Sequence, residues 1–247
     1  MTVAFFYREP IALDRVEHQK WRLLPINDVR FTATSAAAPL VWSEFAEACL
    51  EYPIVFTKSD IGWTALAVTG LADGENLFVD ADGRWSGRYV PASVRRYPFV
   101  LSQREDGQLT VCIDKACEQL VTGEKKTKSG AAKGAGQELF DAAGEPSPWM
   151  QNIMNMLTDF QNQAQATSAM VERLSAAGLL VESNLEVSLQ DGRKAQLQGA
   201  WMVNEAALKT LPDATIAAWF HSGDLALVHT HLISLRNLGP LLLRRPV

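Results

Sequence analysis

The side chains best suited to bind a ligand or to catalyse a reaction form two groups. The first is a pair of histidines near the C-terminus. His229 and His231 are two positions apart in residues 225–232, which we interpret as a strand, so both imidazoles would lie on one face. Such a pair could bind iron or zinc, with His18, His221 or a carboxylate as a third ligand. The neighbours are mostly apolar and no carboxylate follows closely. Hydrogen-bonded structural histidines are therefore the favoured interpretation, and no cofactor is predicted.

The second group is a dense run of aromatic and basic residues between positions 76 and 99. Arginine beside aromatic rings can bind a carboxylate or phosphate, or stack on a planar ligand. Adjacent residues of an extended segment point to opposite faces, so at most one of the two arginines would enter a given pocket. A structural role, with one arginine paired to Asp80 or to a carbonyl, is the competing interpretation. The predicted ligand-binding residues are Asn76, Asp80, Trp85, Tyr89, Arg95, Arg96 and Tyr97.

The cysteines and the familiar catalytic motifs give little evidence of an enzyme. Cys49, Cys112 and Cys117 are too few and too irregularly spaced for a disulfide framework or a zinc knuckle. Such cysteine usage is typical of the reducing cytoplasm. The sequence contains no phosphate-binding glycine loop, no Gly-x-Ser-x-Gly elbow and no His-Glu-x-x-His helix. Whether the protein is an enzyme stays open at this level.

The overall composition excludes several classes of protein. The chain has 247 residues, of which 47% are hydrophobic and 21% charged, and its net charge is -5. This apolar fraction is typical of a globular protein, and the negative charge disfavours nucleic-acid binding. No segment approaches the roughly 20 apolar residues of a membrane span, and the N-terminus lacks the features of a secretory signal. A cytoplasmic location is therefore expected.

The elements that must position these residues suggest an α+β fold. A short helix at 43–51 precedes apolar runs separated by turn signals, which predict an antiparallel meandering sheet in the first half. The predicted strands include 54–56, 63–68, 76–79, 98–101 and 109–113. A second region contains a hairpin of 184–189 with 194–203, short helices near 205–211 and 213–220, and a closing helix at 234–243.

Between these regions lie a polar stretch and a long helix. Residues 122–137 contain no large apolar side chain, which predicts a flexible loop rich in Lys, Gly and Ala. We expect one domain spanning 1–247, with possible lobes at 1–121 and 138–247. Helix 148–177 carries apolar residues at spacings of three and four and could form a homodimer interface. Its stripe comprises Met150, Ile153, Leu157, Phe160, Ala164, Thr167, Val171 and Leu174.

A series of motifs occurs in order along the chain: Glu44-Phe45, 52–56, 76–79, Trp85, 89–91, 95–99, 139–141, Gly144 and 231–235, with His18. Together these motifs resemble the SapC family of bacterial proteins. The resemblance extends over nearly the whole chain, and 124–137 is an insertion relative to the family pattern. It implies no firm enzymatic activity. The family name is linked to bacterial surface-layer genes, and a peptide-transport permease would require spans that this chain lacks.

These residues suggest two hypotheses about function, from different classes of protein. The first is a non-enzymatic binding or accessory protein of a bacterial surface or nutrient-uptake system, recognising a peptide, an amino-acid-like ligand or a partner protein. Its basis is the aromatic and arginine cluster, since these residue types are enriched at binding hot spots. The alternative is a metal-dependent, oxygenase-like enzyme acting on an amino acid or peptide through His229 and His231.

Overall fold

A computed structural model describes residues 6–60, 62–103, 107–122, 135–188, 192 and 194–245. It contains antiparallel sheets and several helices, one of them long, which confirms the α+β class. The strands are β1 (Pro10–Ala12), β2 (Arg22–Leu23), β3 (Ala37–Leu40), β4 (Ile54–Ser59), β5 (Gly62–Val68), β6 (Phe99–Gln103), β7 (Leu109–Asp114), β8 (Leu120–Val121), β9 (Gln137–Glu138), β10 (Leu180–Ser188) and β11 (Lys194–Val203). The helices are α1 (Phe45–Ala48), α2 (Ala92–Arg95), α3 (Pro148–Ala176), α4 (Glu205–Leu208), α5 (Asp213–Ser222), α6 (Asp224–Ser234) and α7 (Leu238–Leu243).

The chain forms two compact units, each built from two segments. The first unit comprises Met1–Phe31 and Arg95–Gln161, and the second comprises Thr32–Val94 and Asn162–Val247. The first half of the sequence is therefore divided between the units, rather than forming the lobe 1–121 that the sequence suggested. Residues 123–134 of the predicted loop lie outside the described part of the chain.

The first unit contains two small antiparallel sheets. One has the strand order β1-β7-β6, and the other has the order β8-β2-β9. Their apolar side chains share a core with the N-terminal part of α3. Its buried members are Trp21, Leu23, Phe99, Ile113, Cys117, Leu120, Leu139, Phe140, Met150 and Leu157.

The second unit is organised around a five-stranded antiparallel sheet of order β10-β11-β4-β5-β3. Within it, Ile54 pairs with Ala67 and Phe56 with Ala65, and all four side chains are buried on one face. The predicted hairpin of β10 and β11 is confirmed, and it joins this sheet through the pair Trp201 and Phe56. The predicted single meander is thus wrong, because its strands are distributed between separate sheets.

The long helix α3 agrees closely with the sequence prediction. Ser147 caps its start by accepting a hydrogen bond from the Met150 N–H (3.1 Å), and Gly178 follows its end with a φ of 69°. Most of the stripe is buried within the chain, including Leu157 and Leu174, whereas Ile153, Phe160 and Ala164 are half-buried. The polar member of the stripe, Thr167, is hydrogen-bonded, because its hydroxyl oxygen accepts a hydrogen bond from the Trp42 N–H (2.9 Å). A homodimer through α3 stays a prediction, and it would have to use the exposed polar face.

Two predicted strands have other structures. Residues 76–79 form only a bridge between Val79 and Trp85, because the side-chain Oδ1 of Asn76 accepts the Phe78 N–H (3.0 Å) in a local turn. Residues 225–232 lie in helix α6, so their strand assignment is wrong. Gly223 (φ 84°) ends α5 and allows α6 to begin at once, with Asp224 in its first turn.

Candidate functional site

His231 is a structural histidine in the core of the second unit. Its side chain is fully buried on α6, where the Val203 N–H donates to Nε2 (3.1 Å) and Nδ1 donates to the Ile54 carbonyl (2.9 Å). The imidazole thereby links α6 to strands β4 and β11. Burial lowers the pKa of His231 to about 4, so the ring is neutral at physiological pH. Both ring nitrogens are already used, which leaves neither for a metal.

The other predicted metal ligands do not join His231. On a helix, residues two apart point to nearly opposite sides, and His229 is exposed whereas His231 is buried. His18 belongs to the first unit, where its Nδ1 accepts a hydrogen bond from the Asp14 N–H (2.8 Å). Within the described residues, no group of three His, Cys, Asp or Glu side chains could hold a metal ion.

Four of the predicted ligand-binding residues hold a loop of the second unit together. The Trp85 Nε1–H donates to the Tyr52 hydroxyl (2.9 Å), which in turn donates to the Tyr89 carbonyl. Asp80 accepts the N–H groups of Asp82 and Arg84 rather than pairing with Arg95 or Arg96. Asn76 donates to the Thr32 carbonyl (3.1 Å). These polar groups serve the fold of residues 76–92.

Two glutamates that were not predicted as site residues, Glu44 and Glu51, complete this arrangement. The buried Glu44 carboxylate accepts the Tyr89 hydroxyl (2.6 Å) and the N–H groups of Ala92 (2.7 Å) and Val41 (2.9 Å). Glu51 accepts the N–H groups of Arg88 and Tyr89. Because the carboxylate of Glu44 is fully hydrogen-bonded, it stabilises the loop and is not an open acid or base.

The remaining three predicted residues line a groove in the first unit. This groove, which we call the Arg96 groove, has a volume of about 320 Å³. Apolar side chains form most of its wall, while the two arginines supply its charge. Its lining residues are Leu23, Leu24, Pro25, Ile26, Arg95, Arg96, Tyr97, Phe99, Gln137, Trp149 and Ile153.

Arg96 is the residue of the groove whose hydrogen bonding is incomplete. Its guanidinium carbon lies 4.3 Å from the centre of the Phe160 ring, a cation–π contact that fixes one face of the group. Its Nε is buried and has no hydrogen-bond partner among the described residues. A buried donor without an acceptor costs about 1–3 kcal/mol, which a bound acceptor would recover.

The tyrosines beside Arg96 are held as neutral phenols. The Tyr7 hydroxyl donates to the Phe99 carbonyl (2.6 Å), and burial raises the pKa of Tyr7 to about 12 although the nearby Arg96 cation opposes this. Tyr97 stacks on Phe31 with 3.8 Å between ring centres, and burial raises its pKa as well. Neither phenol is suited to act as a general base near neutral pH.

The structure thus divides the predicted ligand cluster between the two units. Arg95, Arg96 and Tyr97 line one groove of the first unit, whereas Asn76, Asp80, Trp85 and Tyr89 belong to the second. The sequence analysis missed Trp149 and Ile153 as groove residues. Their only sequence signal was their place at the start of the amphipathic helix, which indicated burial rather than a ligand site.

The α+β fold defines the structural class, and the family model of SapC matches residues 13–241. The protein belongs to the SapC family. Comparison with curated proteins and with solved structures finds no match. Across the part of the chain that the structure describes, no helix is long and apolar enough to cross a membrane.

Proposed function

We propose that this protein is a non-enzymatic binding protein whose Arg96 groove takes a small ligand, or part of a partner, with a carboxylate next to an apolar side chain. The observation that carries the proposal is the buried Nε of Arg96 without an acceptor, in a groove lined by apolar side chains. Arginine is the side chain best suited to planar, two-point binding of a carboxylate.

The size and wall of the groove define the ligand more closely. About 320 Å³ is near the lower end of small-molecule sites, which span roughly 300–1,000 Å³. Trp149, Ile153 and Ile26 offer apolar contact, and the indole of Trp149 can pack against an aromatic ring. An amino-acid-like ligand or one end of a peptide therefore fits better than a large cofactor.

Binding needs a modest rearrangement of Arg96. Its Nε is covered in this structure, so a ligand carboxylate reaches it only after a change of side-chain rotamer. Rotamer changes of this kind are common when proteins bind ligands.

The alternative of a metal-dependent enzyme receives no support from the described residues. His231 uses both of its ring nitrogens in backbone hydrogen bonds, and His229 lies on the other side of the same helix.

The further parts of the proposal are a role in a bacterial surface or nutrient-uptake system and a cytoplasmic location. Three free cysteines, two of them buried, are consistent with a reducing compartment.

Calorimetry with a matched pair of probes tests the proposed site. N-acetylphenylalanine carries the carboxylate and the apolar ring, whereas N-acetylphenylalanine amide lacks only the charge. We expect saturable binding of the acid at millimolar concentrations and at least about tenfold weaker binding of the amide, because a hydrogen bond to a charged group contributes about 1.5–3 kcal/mol.

Variants of the full chain locate the site. Arg96→Met should weaken binding of the acid by at least about tenfold. The matched control Arg15→Met removes an exposed arginine of the same unit outside the groove and should leave binding unchanged. Equal binding of the acid to both variants, with circular dichroism confirming that Arg96→Met is folded, would contradict the proposal.

A further inference from the structure

We infer that the occupant of the Arg96 groove is the C-terminal end of a peptide, and that the peptide chain continues past Tyr97 into a second cavity of the same unit. This inference rests on the proposed function. The second cavity, which we call the Arg8 cavity, has a volume of about 220 Å³. The residues that matter for the argument are Arg8, Asp28, Arg30, Tyr97, Glu118 and Gln119.

Tyr97 is the residue that the two spaces share, because it lines both of them. Its ring is held on Phe31, with 3.8 Å between ring centres and 13° between planes, and it also contacts Tyr7 at 5.6 Å. The proposed peptide passes beside this tyrosine. An extended peptide advances about 3.3–3.6 Å per residue, so the number of residues that it needs can be measured with a series of peptide lengths.

The charges of the two spaces are complementary to the two ends of a peptide. The Arg96 groove is lined by two arginines and by no carboxylate. The Arg8 cavity contains both signs, with Asp28 and Arg30 paired at 2.6 Å. A C-terminal carboxylate suits the groove, and an N-terminal ammonium suits the carboxylates of the cavity.

Two charged groups of the Arg8 cavity are available for such a ligand. The exposed Arg8 guanidinium and the exposed Glu118 carboxylate have no hydrogen-bond or ion-pair partner among the residues that the structure describes. Glu118 can accept from an ammonium group, and Arg8 can donate to a peptide carbonyl.

A peptide length series tests the inference on the full chain. The probes are Phe, Ala-Phe, Ala-Ala-Phe and Ala-Ala-Ala-Phe, measured by calorimetry beside N-acetylphenylalanine. We expect affinity to rise by about tenfold at the length whose N-terminus reaches the Arg8 cavity. Acetylation of that N-terminus, or the substitution Glu118→Gln, should remove this gain and leave N-acetylphenylalanine binding unchanged.

The control variant is Glu17→Gln, which changes an exposed glutamate of the same unit that lines neither space. It should retain the full gain with length. If N-acetylphenylalanine binds but affinity does not change with length or with Glu118→Gln, the peptide inference is overturned and the proposed function stands. If N-acetylphenylalanine and every peptide fail to bind, both are overturned.

Discussion

In this protein, side chains whose polar atoms are already hydrogen-bonded have a structural role. A side chain with a buried polar atom that lacks a partner is the candidate for ligand binding. The Tyr89 hydroxyl donates to the buried Glu44, and the Trp85 indole N–H donates to the buried Tyr52. The Nε of Arg96 has none among the described residues, although the same group packs on Phe160. Residue type alone predicted all three as ligand-binding, because it carries no information about which partners the fold supplies.

His231 gives the clearest pH-dependent prediction for a single residue. Its pKa is lowered from 6.5 to about 4, so the unfolded chain takes up a proton between these pH values while the folded protein does not. The stabilisation from neutral His231 is therefore complete above pH 6.5 and is lost as the pH falls towards 4. A shift of this size corresponds to about 3 kcal/mol in the free energy of unfolding.

Urea unfolding at several pH values measures this loss. The wild-type protein should lose about 3 kcal/mol more than His231→Gln as the pH is lowered from 6.5 to 4. His229→Gln changes an exposed histidine of the same helix and should follow the wild-type curve. Parallel curves for wild type and His231→Gln would show that His231 is not buried in its neutral form.

At the scale of elements, helix α6 shows that an alternating sequence pattern can wrongly predict a strand. Its sequence Leu-Ala-Leu-Val-His-Thr-His contains enough alternation to suggest a strand, but buried Asp224, Val228, His231 and Ser234 recur at spacings of three and four. The helices α3 and α4 were predictable because their caps are local, as with Asn204, whose side chain accepts two N–H groups of α4. The assembly of sheets from distant strands was not predictable, because sequence periodicity does not specify which strand pairs with which.

The pair of Arg173 and Asp224 fixes α6 to α3 and yields a prediction about stability. Asp224 is buried at the start of α6, and Arg173 donates to both of its carboxylate oxygens at 2.8 Å. Arg173→Met leaves the carboxylate without its cation and should lower the free energy of unfolding by about 1–3 kcal/mol. Thermal and urea unfolding measure this change.

The matched comparison for that variant is Arg15→Met. Arg15 pairs with Glu145 at 3.5 Å, but both side chains are largely exposed. Its loss should change stability by about 0.5 kcal/mol or less. Equal losses for the two variants would mean that Arg173 contributes no more than an ordinary surface ion pair.

For the whole molecule, the sequence predicted the class of fold but not the division of the chain. Each unit combines two segments, and the three boundaries fall where composition gives no signal. Phe31/Thr32 and Val94/Arg95 each lie within a short helical segment, and Gln161/Asn162 lies inside α3. This division explains why a cluster that is continuous in sequence separates into a structural loop and a groove. Trp149 reaches that groove from α3, a contact that depends on tertiary packing.

The most direct test of the binding account is the NMR signal of the Arg96 Nε–H, assigned by its absence in Arg96→Lys. During titration with N-acetylphenylalanine, we expect this signal to shift and to saturate as the carboxylate provides the missing acceptor. The amide probe should leave it in place. An Arg96 signal that stays unmoved by the acid while other resonances saturate would contradict the assignment of the groove as the ligand site.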